Sequence, residues 1–397
     1  MEINDIVKLQ NDLQKLKKAY VTEFLLDTNR TLFGETLASI KTTLSALEAL
    51  PGEEFRKTVN SNGGAMSIDL TYEITELRKD AFYLENGVRS FIREYIALDG
   101  HAEEQMLAGK EYLGADGIDF FFTDRDGTIN NYCARYSTST QSIYNAIFTT
   151  AFVRRIDTGV ILTSGPMKNP GLLDVVICPD GTYVLAASKG REFVDVKGGF
   201  HSYPIDSRHS AKLDLLNREL SQLLSTEKYR IFSVIGSGLQ FKFGQTTVAR
   251  QDIAGSIHQN ASVALLDTVR DLVTRVDPRQ EYFRINDTGL DIEINITLSS
   301  ESVERRDFDK GDGMAFIVDE LSLETENRSI LVCGDTMSDL AMLRKAKEFS
   351  KSIKTIFVAD SEPLKKAVRQ IVPSAYFVDN PDILTAIVNA YSSRETW

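Results

Sequence analysis

Cysteine is scarce in this chain: three in 397 residues, Cys133, Cys178 and Cys333, set far apart. That number and spacing exclude a disulfide framework and a cysteine zinc cluster, and point to a reducing, cytoplasmic setting. Long hydrophobic runs are missing. No stretch reaches the ~20 apolar residues of a membrane helix. The opening segment mixes acids with apolar residues and lacks the apolar stretch of a signal peptide. A positive excess is also lacking: 45 Lys and Arg face 57 Asp and Glu, a net charge of −12. So acidic a chain presents no broad cationic face to nucleic acid or to an anionic membrane, and neither is expected as a partner. What is there is ordinary globular composition, 42% hydrophobic and 26% charged, over a length that suggests two or three domains.

Residues 1–112 read as helical. Leu32, Phe33, Leu37, Ile40, Leu44, Leu47 and Leu50 recur at spacings of three and four, one face of a helix that Pro51-Gly52 stops. The polar run Asn60 to Gly64 reads as a loop. A second stripe, Ile74, Leu77, Ala81, Leu84, Val88, Phe91, Ile92 and Tyr95, ends at Asp99-Gly100. The pattern predicts an antiparallel hairpin or small bundle without chemistry of its own. Its apolar stripes offer a surface for a homodimer.

From Gly117 the texture changes. Short β-rich apolar runs at Ile118–Thr123, Gly159–Thr163, Ser329–Cys333 and Thr355–Val358 have the look of strands buried on both faces. Helical patterns separate the later ones. The alternation predicts a doubly wound α/β layer over 113–191 and 301–397. Residues 192–300 interrupt it. Helices are expected near 209–225 and 258–276. After the first come strands near 229–235 and 239–249, joined by Gly236-Ser237-Gly238; after the second come strands at 281–286 and 289–297. The order αββαββ is a duplication in pattern, an inserted α+β module. Hinges are expected at 190–192 and 300–309.

The chemistry lies where predicted strands end. The first delivers Asp124-Arg125-Asp126-Gly127-Thr128 and the third Gly334-Asp335-Thr336-Met337-Ser338-Asp339. In open α/β sheets the ligand crevice lies at the carboxyl ends of the strands. Carboxylates gathered there become tolerable beside a divalent cation, and Mg²⁺ prefers such oxygen ligands. Alone, an Asp-x-Asp-Gly stretch reads equally well as a surface turn. The second strand ends in Thr163-Ser164-Gly165, which places a hydroxyl at the same edge. Lys310-Gly311 opens the helical pattern that leads to the third strand, and a lysine there can pin a phosphoryl oxygen. The succession of the four pieces, more than any one of them, marks a phosphate site.

These four motifs resemble those of the haloacid dehalogenase superfamily of phosphohydrolases, over about residues 117–392. The duplicated module looks like the C2B cap of that superfamily, found in phosphatases of trehalose 6-phosphate, sucrose 6-phosphate and mannosyl-3-phosphoglycerate. The resemblance implies a Rossmann-like core with a cap, Mg²⁺ as cofactor, and a sugar phosphate as substrate. It implies Asp124 as nucleophile, Asp126 as acid and base, and Ser164 and Lys310 as phosphoryl holders. Asp124, Asp126, Asp335 and Asp339 would hold the metal. Trehalose-phosphate phosphatases carry a Glu-x-Lys and a later glutamate on cap strands. Here Gln240-Phe241-Lys242 and Glu293 match, with glutamine in place of the first glutamate. A His-x-Arg that often follows is Val248-Ala249-Arg250. Gln240, Lys242, Arg250 and Glu293 are therefore the expected sugar contacts, and trehalose 6-phosphate the leading substrate. The other readings are a different sugar or polyol phosphate, a phosphotransferase or mutase, and a sensor that binds a sugar phosphate without hydrolysing it. The tetrad Asp124-Arg125-Asp126-Gly127 is also reminiscent of a capless branch acting on heptose bisphosphates and histidinol phosphate, but the long insertion argues for a cap.

Overall fold

The computed structural model describes residues 1–27, 31–61, 64–98, 100–114, 117–300 and 303–392. Helices α1 (Ile3–Leu25) and α2 (Phe33–Glu48) bury single stripes, Ile6, Leu13 and Val21 on one and Ile40 and Leu47 on the other. A hairpin of β1 (Arg56–Ser61) and β2 (Gly64–Asp69) follows, so Asn60, Ser61 and Gly64 of the expected loop are strand residues; its residues 62–63 lie outside the described residues. Helix α3 (Thr71–Phe91) carries the second stripe. Gly87, at φ +74°, breaks it one turn early, and a π-helical turn at Ile92–Ile96 continues the path toward α4 (Gly100–Leu113). Asp99, expected to end the helix, also lies outside the described residues. The stripes meet this chain's own core: Tyr83 and Phe91 pack on Tyr144 and Phe148.

The α/β layer is built on an eight-stranded sheet. In chain order it uses β3 (Phe120–Thr123), α5 (Ile143–Val153), β4 (Thr158–Leu162), the single turn α6 (Leu172–Val175), β5 (Val184–Ala187), β6 (Glu192–Val194) and β7 (Phe200–Ser202). The inserted module intervenes: α7 (Ser207–Ser225), β8 (Leu239–Lys242), β9 (Gln245–Ala249), α8 (Gln259–Val276), β10 (Phe283–Asp287) and β11 (Asp291–Ile296). The short hairpin β12 (Leu298–Ser300) and β13 (Val303–Arg306) leads back to α9 (Lys310–Glu320), β14 (Ser329–Gly334), α10 (Leu340–Phe349), β15 (Ser352–Val358), α11 (Glu362–Ile371), β16 (Tyr376–Val378) and α12 (Pro381–Ser392). Residues 301–302, within the second expected hinge, lie outside the described residues.

Across the sheet the order is β16-β15-β14-β3-β4-β5-β6-β7. All neighbours from β16 to β5 are parallel, and β6 and β7 add an antiparallel edge. Phe120 and Phe122 enter the core on one face and Phe121 the core on the other, the alternation that makes a doubly covered strand read as one apolar run. The chain winds outward from β3 in both directions, so a crevice opens beside its carboxyl end.

Two expectations need correction. The sheet extends through β7, so the inserted module starts after Ser202 rather than at 192. Residues 229–235 are not a strand. They form a 3₁₀ turn at Arg230–Ser233, with Tyr229, Phe232 and Ile235 buried at intervals of three. The strand pair expected there is β8–β9, and it turns at Phe243-Gly244 instead of Gly236-Ser237-Gly238. The cap sheet runs β10-β11-β9-β8, antiparallel throughout.

Candidate active site

Parallel pairing of β3 with β14 brings both acidic strand ends to one rim. Asp124 directly follows β3, and its backbone N–H donates to the carbonyl of Cys333 at 3.1 Å. Its carboxylate accepts from the Arg125 backbone N–H at 2.7 Å and meets Lys310 Nζ at 2.8 Å. Lys310 reaches this point from the first turn of α9, whose N-cap is Asp309. The same Nζ lies 2.6 Å from Asp339 Oδ1. Asp339 in turn folds back over its own turn. Its Oδ2 accepts from the Asp335 and Thr336 backbone N–H groups at 3.1 and 2.9 Å and from Thr336 Oγ1 at 2.8 Å. Asp335 accepts from Thr128 Oγ1 at 2.9 Å and from the Tyr132 hydroxyl.

Two glycines make the approach feasible. A Cβ on Gly127, at φ +82°, would lie 2.3 Å from Asp335 Oδ2, and one on Gly334 would lie 2.5 Å from the Asp339 Cβ. Neither position has room for a side chain.

Oxygen atoms of Asp124, Asp335 and Asp339 all fall within 4.8 Å of one another. Three carboxylates and the single ammonium of Lys310 leave two negative charges in a largely buried cluster. A divalent cation with hard oxygen preferences matches that donor set and that charge. The electrostatics agree. Burial, opposed by Lys310 and assisted by Asp339 and Asp335, pushes the Asp124 carboxyl well above the usual carboxylate range. Burial and Asp339 push Asp335 up to about 6. Burial works against the charge on Lys310, yet Asp124 and Asp339 hold its pKa above that of an ordinary lysine.

Asp126 stands apart from this cluster. Its side chain pairs with Arg125 Nη1, a contact that sequence reasoning missed because nothing in the local pattern marks Arg125 for burial.

A cavity of about 420 Å³ joins these groups to the inserted module. Asp124, Asp126, Ser164 and Lys310 line its floor, Tyr132 and Tyr136 its side, and Gln240, Lys242, Asp291 and Glu293 its roof. The roof follows from register: Gln240 and Glu293 both face Thr247 across neighbouring strands, so the three share one sheet face. Burial lowers Lys242 to about 8, against the pull of Glu293 and Asp291. Arg250 lies elsewhere. Its guanidinium is 2.9 Å from Asp287, and it is not among the described residues that line the cavity. Arg250 follows the end of β9, and the β10–β11 turn claims it.

The family model "Trehalose-6-phosphate phosphatase, C-terminal" matches residues 121–384, and "Trehalose-6-phosphate phosphatase N-terminal helical bundle domain" matches 2–97. The chain is 29% identical to a trehalose-phosphatase of Caenorhabditis briggsae, over 88% of this chain and 89% of that one. It is 34% identical to alpha,alpha-trehalose-phosphate synthase [UDP-forming] 1 of Aphelenchoides avenae, over 82% of this chain, and spans 30% of that longer relative. Among solved structures it resembles the C. albicans trehalose-6-phosphate phosphatase C-terminal domain, with 12% identity, a TM-score of 0.48, and coverage of 72% of this chain and 96% of that one. On the family models, which together span both the helical bundle and the α/β layer, the chain belongs to the trehalose-6-phosphate phosphatase family.

Proposed function

We propose that this protein hydrolyses trehalose 6-phosphate to trehalose and phosphate, with Asp124 as nucleophile. The observation that carries the reading is the shared cavity: a buried lysine–carboxylate cluster on its floor and a polar strand face on its roof. Its volume lies in the range of small-ligand sites, ~300–1,000 Å³.

In this mechanism an Asp124 carboxylate oxygen attacks phosphorus, and the bond from phosphorus to the sugar oxygen breaks. The electron pair goes to the sugar oxygen, which takes a proton from Asp126. The product is an aspartyl phosphate. Water, losing its proton to Asp126, then attacks phosphorus and releases Asp124. Lys310 neutralises charge on the transferring group, and Ser164 offers it a hydroxyl. Asp124, Asp335 and Asp339 would hold Mg²⁺, with the backbone carbonyl of Asp126 as a further ligand. Bound there, the ion would supply further neutralisation of the phosphoryl oxygens. Gln240, Lys242 and Glu293 hold sugar hydroxyls; glutamine can both accept and donate to them.

The test is phosphate release from a panel of sugar and polyol phosphates, including sucrose 6-phosphate, with and without chelator. The reading expects trehalose 6-phosphate to be preferred, and expects chelation or Asp124→Asn to stop turnover. Preference for another sugar phosphate would revise the substrate. No turnover with the fold intact would favour the sensor reading.

A further inference from the structure

Arg125 is the largest fully buried side chain in the described residues, 1% exposed, and it carries a permanent charge. A buried guanidinium persists only where its donors are taken. Nη1 pairs with Asp126 Oδ1 and lies 3.2 Å from Ser139 Oγ, while Nη2 donates to the Ser139 carbonyl. The fork thus ties the proton-transfer carboxyl to residue 139.

Ser139 is itself fixed from both sides, by the N-terminal bundle. Thr138 Oγ1 donates to Glu73 Oε1 at 2.6 Å. The Tyr72 hydroxyl donates to the Thr140 carbonyl at 2.7 Å and reaches Asn130 Oδ1 at 3.1 Å. Glu73 also receives Arg135. Tyr72, Glu73, Thr138, Ser139 and Thr140 are all buried. Two consecutive residues at the start of α3 therefore hold the two neighbours of the residue that anchors Arg125.

We propose that Arg125 is a positioning residue for Asp126, and that α3 holds this clamp through Tyr72 and Glu73, so that the N-terminal bundle forms part of the scaffold for acid catalysis. The inference rests on the phosphatase reading above. It separates two roles for the same contacts. If they only stabilise the fold, their loss depresses every reaction alike. If they aim Asp126, their loss affects the step in which Asp126 gives its proton to the departing oxygen. A sugar alkoxide needs that proton; p-nitrophenolate departs without it. The ratio kcat/KM covers only the steps up to that departure, so the later use of Asp126 as base does not blur it.

The experiment compares kcat/KM for trehalose 6-phosphate and p-nitrophenyl phosphate in the full chain, with wild type, Arg125→Met, Arg125→Lys, Tyr72→Phe and Glu73→Gln, each checked by circular dichroism. Arg125→Met should lower the trehalose 6-phosphate value about 100-fold, as expected for a displaced general acid, and the p-nitrophenyl phosphate value by no more than about threefold. Arg125→Lys should recover part of the loss, because lysine restores charge without the fork. Tyr72→Phe and Glu73→Gln should show the same selectivity in smaller degree. Should Arg125→Met fail to fold, Tyr72→Phe, which deletes one hydroxyl, carries the test. Equal losses on both substrates, or no loss in any variant, would overturn the proposal. Failure of wild type on both substrates would overturn the phosphatase reading itself, and would be seen before any variant is made.

Discussion

Replacing Lys310 by methionine keeps the length and apolar stem of the side chain and deletes one charge. Lys310 is 2% exposed, and its ammonium lies 2.8 Å from Asp124 and 2.6 Å from Asp339. Removing one partner of a buried ion pair costs about 3–5 kcal/mol, because the remaining charge stays buried without compensation. Here the lower end applies. Asp339 keeps three other donors and Asp124 keeps the Arg125 backbone N–H. A loss of about 3 kcal/mol corresponds to about 6–12 °C in melting temperature for a unit of this size. The sign with pH follows from the direction of each shift. Lys310 has its pKa raised in the fold, so its contribution is present in full below the ordinary lysine value near ~10.4 and is lost only at higher pH. At neutral pH the substitution therefore removes all of it. The carboxyls of Asp124 and Asp335 are raised, the latter to about 6, and take up protons as pH falls. The deficit should then shrink toward pH 5. Calorimetry of both proteins in chelator between pH 5 and 8 reads this out. A deficit under about 1 kcal/mol at pH 7, or one that grows on acidification, would refute the assignment of a buried ammonium compensating these carboxylates.

Other expectations concern the roof of the cavity. Lys242, lowered to about 8 by burial, is charged below that pH and neutral above it. The KM for trehalose 6-phosphate should accordingly rise as pH passes 8, and Lys242→Met should abolish that rise; an identical pH profile in the variant would contradict a substrate contact. Arg250→Met should change KM by less than about twofold while lowering stability, since its guanidinium pairs with Asp287 and Arg250 is not among the described residues that line the cavity; a large KM effect would return it to the site.

The sequence pattern carried the catalytic layer well because its strands are buried on both faces and so read as short apolar runs. Acids at two such strand ends, at Asp124 and Asp335, could be placed at one rim from the parallel topology alone. The pattern misled at 229–235, where Tyr229, Phe232 and Ile235 bury at intervals of three and β-rich composition hid a 3₁₀ turn. Short strands such as β6 and β7, three residues each, leave too little periodicity to detect. The grip of Tyr72 and Glu73 on residues 138–140 joins positions far apart in the chain through polar groups, and hydrophobic spacing contains no trace of such contacts. Arg250 fits a family pattern in sequence, but its ion pair with Asp287 appears only once the β10–β11 turn is in place.

The most direct test of the central claim is the chemical state of Asp124 during turnover. Enzyme mixed with trehalose 6-phosphate and Mg²⁺, quenched in acid and digested, can be read peptide by peptide by mass spectrometry, with Asp126→Asn used to slow the second step. The account predicts a phosphoryl group on the peptide containing Asp124 and on that residue alone. Steady phosphate release with Asp124 unmodified, or a phosphoryl group on another residue, would contradict it.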